Sequence, residues 1–305
     1  MLSHRQGWSF AALFLIFPRV FFAGTTSDAP PASFRAGTSE VRVSFFATDE
    51  NNHLVETIER NDFAIVDDDM IIREFRSLAR SNETALDITV LVDASESVAP
   101  QFEKVTRSVL HLMSPESHPA SDEISVVAFA GLRPLVLCTS NCGDARSEQK
   151  LLSLKAGGPT PLFDSLAFAA RTTASRRVPG KRQVLILFSD GNDNISVMSR
   201  RTALDALTTS NALLYTVDLR PPGCLSDGSV ALQEIAEATG GRRFSMQDDT
   251  ANILQAVLAD LRASYVVTYP LPRRTAGFHS LRILPKHNLN LRFHCRRGYF
   301  YEEGH

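Results

Sequence analysis

Charge of one sign, long apolar runs, cysteine and the usual catalytic signatures are all scarce in this sequence, and each scarcity removes a class of function. Lys and Arg number 32 against 34 Asp and Glu, a formal net charge of -2. That balance gives no whole-chain attraction to nucleic acid or to an anionic membrane. The pairs Arg200-Arg201, Arg273-Arg274 and Arg296-Arg297 are isolated and form no basic stripe, which disfavours a nucleic-acid partner. Beyond the N-terminal segment, no run approaches the roughly 20 apolar residues that a membrane-spanning helix needs. No GxSxG elbow surrounds Ser95 and no HExxH occurs, and the eight histidines, including His111 and His118, are scattered over predicted helix and loop. Nucleophilic and zinc-hydrolase chemistry therefore lack their usual machinery.

Cysteine is limited to Cys138, Cys142, Cys224 and Cys295. An even number allows three pairings in an oxidising compartment. The CTSNC spacing permits a local Cys138 to Cys142 bridge, leaving Cys224 and Cys295 as partners or as free thiols. Each also reads as a small buried apolar residue. Neither a CxxC nor a nearby His pair accompanies them, so a zinc site is disfavoured.

Among what is present, 44% hydrophobic and 22% charged residues describe an ordinary globular protein. At the N-terminus, His4 and Arg5 precede an apolar run from Trp8 to Phe17, small residues follow at Ala23, Gly24 and Thr25, and Pro18 and Arg19 interrupt the run. Residues 1–25 read as a secretory signal peptide or an uncleaved anchor, and 26–39 as a Pro/Ser/Ala-rich linker. Export to the periplasm, the cell surface or the medium is the expectation. Membrane contact is expected only through this segment, if it stays uncleaved.

From Glu40 the chain alternates Val41, Val43, Phe45 against Arg42, Ser44, Phe46, then turns at residues 49–52, which predicts a strand. Further strands are predicted at 63–66 and 71–75, joined by Asp67-Asp68-Asp69. That triple aspartate lacks the alternating ligands, central Gly and distal Glu of an EF-hand loop and reads as a solvated hairpin tip.

Residues 86–264 then alternate strand and helix patterns. Strands are predicted at 88–92, 124–129, 184–188, 213–217 and 243–245, and helices after Pro100 and at 160–173, 199–208, 230–238 and 253–263. Such alternation implies an α/β doubly wound, mostly parallel sheet. After Tyr265 the pattern returns to strands, at 265–269, 280–284 and 290–295. These are read as a C-terminal β segment, 265–305, that either stands alone or pairs with the N-terminal β module, 40–80, around the inserted α/β unit.

Three junctions carry the chemistry. The apolar strand Ile88 to Val92 ends in Asp93-Ala94-Ser95-Glu96-Ser97, placing one carboxylate and two hydroxyls on a single turn. Gly157-Gly158-Pro159-Thr160 enters a helix, and the strand Val184 to Phe188 ends in Ser189-Asp190-Gly191. In a doubly wound sheet all three would lie at the carboxyl edge, where ligands bind. Neutral hydroxyls with a few carboxylates suit magnesium or manganese better than zinc.

Those residues resemble the von Willebrand factor A domain with its metal-ion-dependent adhesion site. DASES matches the family's DxSxS, Thr160 in GGPTPLFDSL its threonine, and Asp190 in FSDGNDN its last aspartate, while Ala236 to Phe244 is similar to its last helix-to-strand step. The segments around this domain, EVRVSFFATDENNHLVETIERNDFAIVDDD before it and YVVTYP with CRRGYF after it, resemble the exported VWFA-related domain proteins of Acidobacteria. The resemblance implies that Ser95, Ser97 and Thr160 ligate Mg2+ (or Mn2+), and that Asp93 and Asp190 bind directly or through water. It further implies a non-enzymatic binding protein that takes an acidic side chain of a partner protein, with the helix at 253–263 as a relay. Two departures stand out. Glu96 replaces the glycine of many relatives, adding a carboxylate that bears on whether an acidic ligand is welcome, and Pro159 stiffens the threonine loop. Alternatives are a structural envelope module without functional metal and, further off, a metal-dependent hydrolase.

Overall fold

The computed structural model describes residues 40–301, except 82–84, 141, 177–179, 222–225 and 247–249 and the side chains of 250–252 and 254; all belong to one compact unit, Ala36–His305. Residues 1–39, expected to be a signal peptide or anchor and a linker, and Cys224 lie outside the described residues.

The chain opens with β1 (Glu40–Thr48), β2 (Phe63–Asp67), β3 (Met70–Ile72) and β4 (Ser77–Arg80). The strand expected at 71–75 is thus shorter and earlier, because Asp68 and Asp69 take positive φ and turn the chain at once. In β1, Val41, Val43 and Phe45 face a core as the alternation requires. Phe46 on the opposite face is also buried, stacked on His294 at 4.5 Å and covered by Arg242.

The α/β part follows as β5 (Ala85–Asp93), a 3-10 turn Glu96–Gln101, α1 (Phe102–Met113), β6 (Glu123–Phe129), β7 (Leu135–Cys138), α2 (Ala145–Leu152), α3 (Leu162–Ser175), β8 (Lys181–Ser189), α4 (Arg200–Ser210), β9 (Leu213–Asp218), α5 (Asp227–Thr239), β10 (Arg243–Ser245) and α6 (Thr250–Arg262). Its six strands lie in the order β10-β9-β8-β5-β6-β7, all parallel except β7. The α/β fold class expected from the strand and helix alternation is therefore the one observed.

The central strands are apolar on both faces because both are covered. From β8, Val184, Ile186 and Phe188 join a core with α1 and α6, whereas Leu185 and Leu187 join a second core with α3, α4 and α5. Each such aliphatic residue, fully withdrawn from water, contributes about 1.5–3 kcal/mol. The apolar stripe predicted on α1, Phe102, Val105, Val109, Leu112 and Met113, is buried throughout. Pro100 sits in the 3-10 turn just before α1, so the α-helix starts two residues later.

β11 (Tyr265–Pro270), β12 (Gly277–Pro285), β13 (Arg292–Cys295) and β14 (Gly298–Tyr301) return to the first segment. Two four-stranded sheets result, β13-β1-β11-β4 and β14-β12-β2-β3. A third core, including Val43, Phe45, Phe63, Tyr265, Val267 and Ile283, fills the space between them, with the Phe45 and Phe63 rings 5.0 Å apart. The α/β part is inserted between β4 and β11, which pair with each other from Tyr265 opposite Arg80.

The inserted part is tied back to this sandwich at its last helix-to-strand step. Arg242 donates to the Asn52 carbonyl at 3.3 Å and covers Phe46 of β1, and Arg297 N donates to the Ala238 carbonyl at 3.0 Å. Within the inserted part Arg242 forms two hydrogen bonds to Asp260, each 2.7 Å, and its guanidinium lies 4.8 Å from the Phe244 ring centre. Asp260 is fully buried, and burial pushes its carboxyl up to about 6 against the opposing pull of Arg242.

Cys138 and Cys142 form a disulfide with Cα atoms 5.3 Å apart. Cys295 is a free thiol packed against the sandwich core, and burial pushes it up to about 12. Such a thiol is inert at neutral pH. Among the described residues, no helix is long and apolar enough to cross a membrane.

Candidate metal centre

All three predicted junctions lie at the carboxyl edge of the parallel sheet. Asp93 ends β5, Asp190 follows β8, and Thr160 lies just ahead of α3. Backbone hydrogen bonds lock the loops together: Glu96 N donates to Gly158 O at 3.0 Å, Gly157 N to Ala94 O at 2.8 Å, and Ala94 N to Phe129 O at 2.9 Å. The 157–160 loop therefore sits directly against the DASES turn. Asn194, beyond Asp190, clamps Thr160 by accepting from its N–H at 2.8 Å and donating its own N–H to its carbonyl at 3.1 Å.

Asp93 is fully buried. One of its oxygens accepts from Ser95 N at 2.9 Å and the other from the Ser189 hydroxyl at 2.7 Å. Burial nevertheless pushes its carboxyl up to about 6, with the neighbouring Asp190 adding to the rise and the Ser95 and Ser189 hydrogen bonds opposing it. Ser95 is buried, Ser97 is exposed, and their hydroxyl oxygens lie 3.2 Å apart. Asp190 is held by Asn192, whose backbone and side-chain nitrogens donate to its two oxygens at 3.0 and 2.9 Å. Among the described residues no Lys or Arg forms an ion pair with Asp93 or Asp190; Arg220 reaches only the Asp190 carbonyl. Two adjacent buried carboxylates thus share a sheet edge with three hydroxyl-bearing residues, and among the described residues neither is ion-paired to a protein cation. Hard, oxygen-only donors of this kind fit a Mg2+ or Mn2+ ion.

Several supports escaped sequence reasoning because they work through the backbone. Ser189 carries Asp93 and also accepts from Gly191 N at 3.0 Å. Asp164, one turn into α3, accepts from Val197 N and Met198 N at 3.1 and 2.8 Å and so shapes the loop after Asp190. Gly191 takes φ +74, and any side chain there would strike the Gly228 carbonyl at the start of α5. A strand-Asp-Gly signal hinted at the last of these. Nothing distinguishes Ser189 or Asn194 from ordinary loop residues, and the sequence shows Asp164 only as an aspartate one turn beyond Thr160.

A doubly wound sheet whose carboxyl edge gathers a DxSxS turn, a threonine loop and a strand-end aspartate defines a class of α/β domain. The chain belongs to the von Willebrand factor type A domain family, whose profile matches residues 87–259. Among curated proteins it is similar to the magnesium-chelatase 60 kDa subunits of Rhodobacter capsulatus, 28% identical over 35% of this chain and 19% of that protein, and of Cereibacter sphaeroides, 26% identical over 48% of this chain and 26% of that protein. The chain thus spans only about a fifth to a quarter of the length of these relatives. Among solved structures it is similar to an aerotolerance-related membrane protein of Bacteroides fragilis, at TM-score 0.45 and 16% identity, covering 58% of this chain and 98% of that one. It is also similar to the conserved hypothetical protein BatB of Bacteroides thetaiotaomicron, at TM-score 0.43 and 16% identity, covering 58% and 97%.

Proposed function

We propose that this chain is an exported, non-enzymatic binding protein whose type A domain holds Mg2+ (or Mn2+) and takes an acidic side chain of a partner protein. The observation that carries the reading is the buried Asp93 carboxylate beside Asp190, with hydroxyl ligands around it and no protein cation to balance it. Ser95, Ser97 and Thr160 offer hydroxyls to the ion, and Asp93 and Asp190 its charge, directly or through water. When bound, the ion supplies the missing countercharge and an open position for a partner carboxylate.

The rim argues for a protein partner rather than a small solute. Leu132 and Val197 are 86% and 94% exposed on loops tied to the Thr160 loop and to α3, and Ile195 is 37% exposed beside them. Glu96 is exposed on the same edge. It repels a strongly acidic surface, so the fitting partner presents one carboxylate among apolar side chains. Export is supported by the N-terminal apolar run and by the Cys138 to Cys142 disulfide, a bond that persists in oxidising compartments.

Metal content and partner capture test this together. The purified full chain is expected to bind one equivalent of Mg2+ or Mn2+, lost in Asp93→Ala and Ser97→Ala, and to retain envelope proteins only with that metal. Capture unchanged by EDTA and by Asp93→Ala would overturn metal-dependent binding, and a metal-free wild type in excess Mg2+ and Mn2+ would overturn the site.

A further inference from the structure

The triple aspartate behaves differently from a solvated hairpin tip. Asp69 is exposed, but Asp67 and His279 are 0% and 1% exposed, and Asp68 is half-buried between them. One oxygen of Asp67 accepts from the Tyr269 and Tyr299 hydroxyls at 2.7 and 2.9 Å. The other is buried with no hydrogen-bond partner. One ligand atom each from Asp67, Asp68 and His279 lies within 4.8 Å of the others.

We propose that these three residues form a second divalent-metal site, within the β-sandwich, that takes a zinc-class transition ion. The tautomer of His279 is the first argument. Its Nε2 lies 2.7 Å from the Thr275 carbonyl, which carries no hydrogen, so Nε2 must be the protonated nitrogen. In the neutral ring Nδ1 then presents a lone pair. That atom sits 2.8 Å from an Asp68 oxygen yet has no aligned hydrogen bond. A lone pair, a carboxylate oxygen and the bare oxygen of Asp67 therefore converge in a buried space, an arrangement that repels itself unless a proton or a metal cation joins it.

A second proton on His279 would relieve only the Asp68 contact and leave the Asp67 oxygen without a partner. A metal ion engages all three. The surroundings are those that metal ligands need: the imidazole donates its other N–H to a backbone carbonyl, and both carboxylates are oriented by hydrogen bonds, Asp67 by two tyrosines and Asp68 by Ser280 N at 2.8 Å. His279 is also stacked on Tyr299, with ring centres 5.1 Å apart. One imidazole with two carboxylates suits zinc and its neighbours, whereas the oxygen-only set around Asp93 suits magnesium. Asp67 and His279 come from the neighbouring strands β2 and β12 of one sheet, so the ion would brace those two strands, while Tyr269 of β11 holds Asp67 from the other sheet.

The test uses the full chain carrying Asp93→Ala and Ser97→Ala, stripped with chelator and titrated with Co2+ as a spectroscopic stand-in for zinc. One equivalent should bind with a visible d–d absorption, be displaced by Zn2+ and raise the melting temperature. Asp68→Asn, which keeps an oxygen for Ser280 N, should weaken binding at least about tenfold, and His279→Gln should abolish the absorption. No Co2+ bound by the folded double variant, or affinity unchanged in Asp68→Asn, would overturn the proposal. Should His279→Gln fail to fold, Asp68→Asn still decides.

Discussion

Replacing Asp93 by Asn should stabilise the metal-free protein while destroying its metal site. In the folded chain the Asp93 carboxyl titrates near 6 instead of 3.8, chiefly because it is buried. At about 1.4 kcal/mol for each tenfold change, ionising it inside the fold costs about 3 kcal/mol. The sign follows from linkage. A carboxylate whose folded value is raised holds its proton more tightly folded than unfolded, so the fold loses stability as pH rises from 3.8 through about 6, and the loss is complete at neutral pH. Asparagine is already neutral and escapes that loss. It also gives up one hydrogen bond from the Ser189 hydroxyl, worth about 1 kcal/mol. The net expectation is that Asp93→Asn is more stable than wild type by about 2 kcal/mol in EDTA at neutral pH. Urea denaturation of both proteins across the acid-to-neutral range, with EDTA and then with saturating Mg2+, measures this. With Mg2+ the order should reverse, because only wild type gains from the ion by mass action. Asp93→Asn less stable than wild type in EDTA, or a difference that does not change with pH, would refute the argument that an unbalanced buried charge shapes this site.

Other perturbations probe the frame around it. Arg242→Met leaves Asp260 buried without its partner and should cost about 3–5 kcal/mol, much of it recovered when Asp260→Leu is added, as a double-mutant denaturation cycle will show. Gly191→Ala forces a side chain against the Gly228 carbonyl at positive φ; it should weaken Mg2+ affinity by calorimetry while the melting transition stays cooperative, and unchanged affinity would remove this turn from the site's support. Changing Cys138 and Cys142 to Ser together removes the bridge of a short loop and should lower stability by about 2 kcal/mol in non-reducing urea titrations, a difference that vanishes under reductant.

The parts of this protein that showed in its sequence are those whose cause is local. β5 and β8 are unbroken apolar runs because both their faces are covered, and α1 and α3 carry their buried stripes at helical spacing. Two of the three loop motifs were visible because each sits where such a run stops, and the third because Gly157-Gly158-Pro159-Thr160 leads into α3. β7 and β4 left little signal, being short edge strands: Leu135 and Val136 are half exposed, and β4 has no fully buried side chain. α2 was missed although Asp144 caps it by accepting from Ser147 N at 2.7 Å, since its eight residues bury only Ser147 and Leu151. The acidic run at Asp67 misled for a different reason. Its partners Tyr269 and Tyr299 lie 202 and 232 residues away in sequence, so nothing nearby announces that the first carboxylate is inside.

The insertion between paired neighbours β4 and β11 has a mechanical consequence. The first and last described strands, β1 and β14, both belong to the sandwich, while the type A domain leaves and re-enters through adjacent strands joined by Ser81 N donating to Ser264 O at 2.8 Å. Tension applied through those outer strands would load the sandwich and bypass the type A domain. α6 ends at Arg262, and β11, hydrogen-bonded on both sides, begins only at Tyr265. With Asp260 gripped by Arg242 as well, that helix is tethered as a lever whose far end is bolted to a sheet, so any travel it makes must be read out by the sandwich.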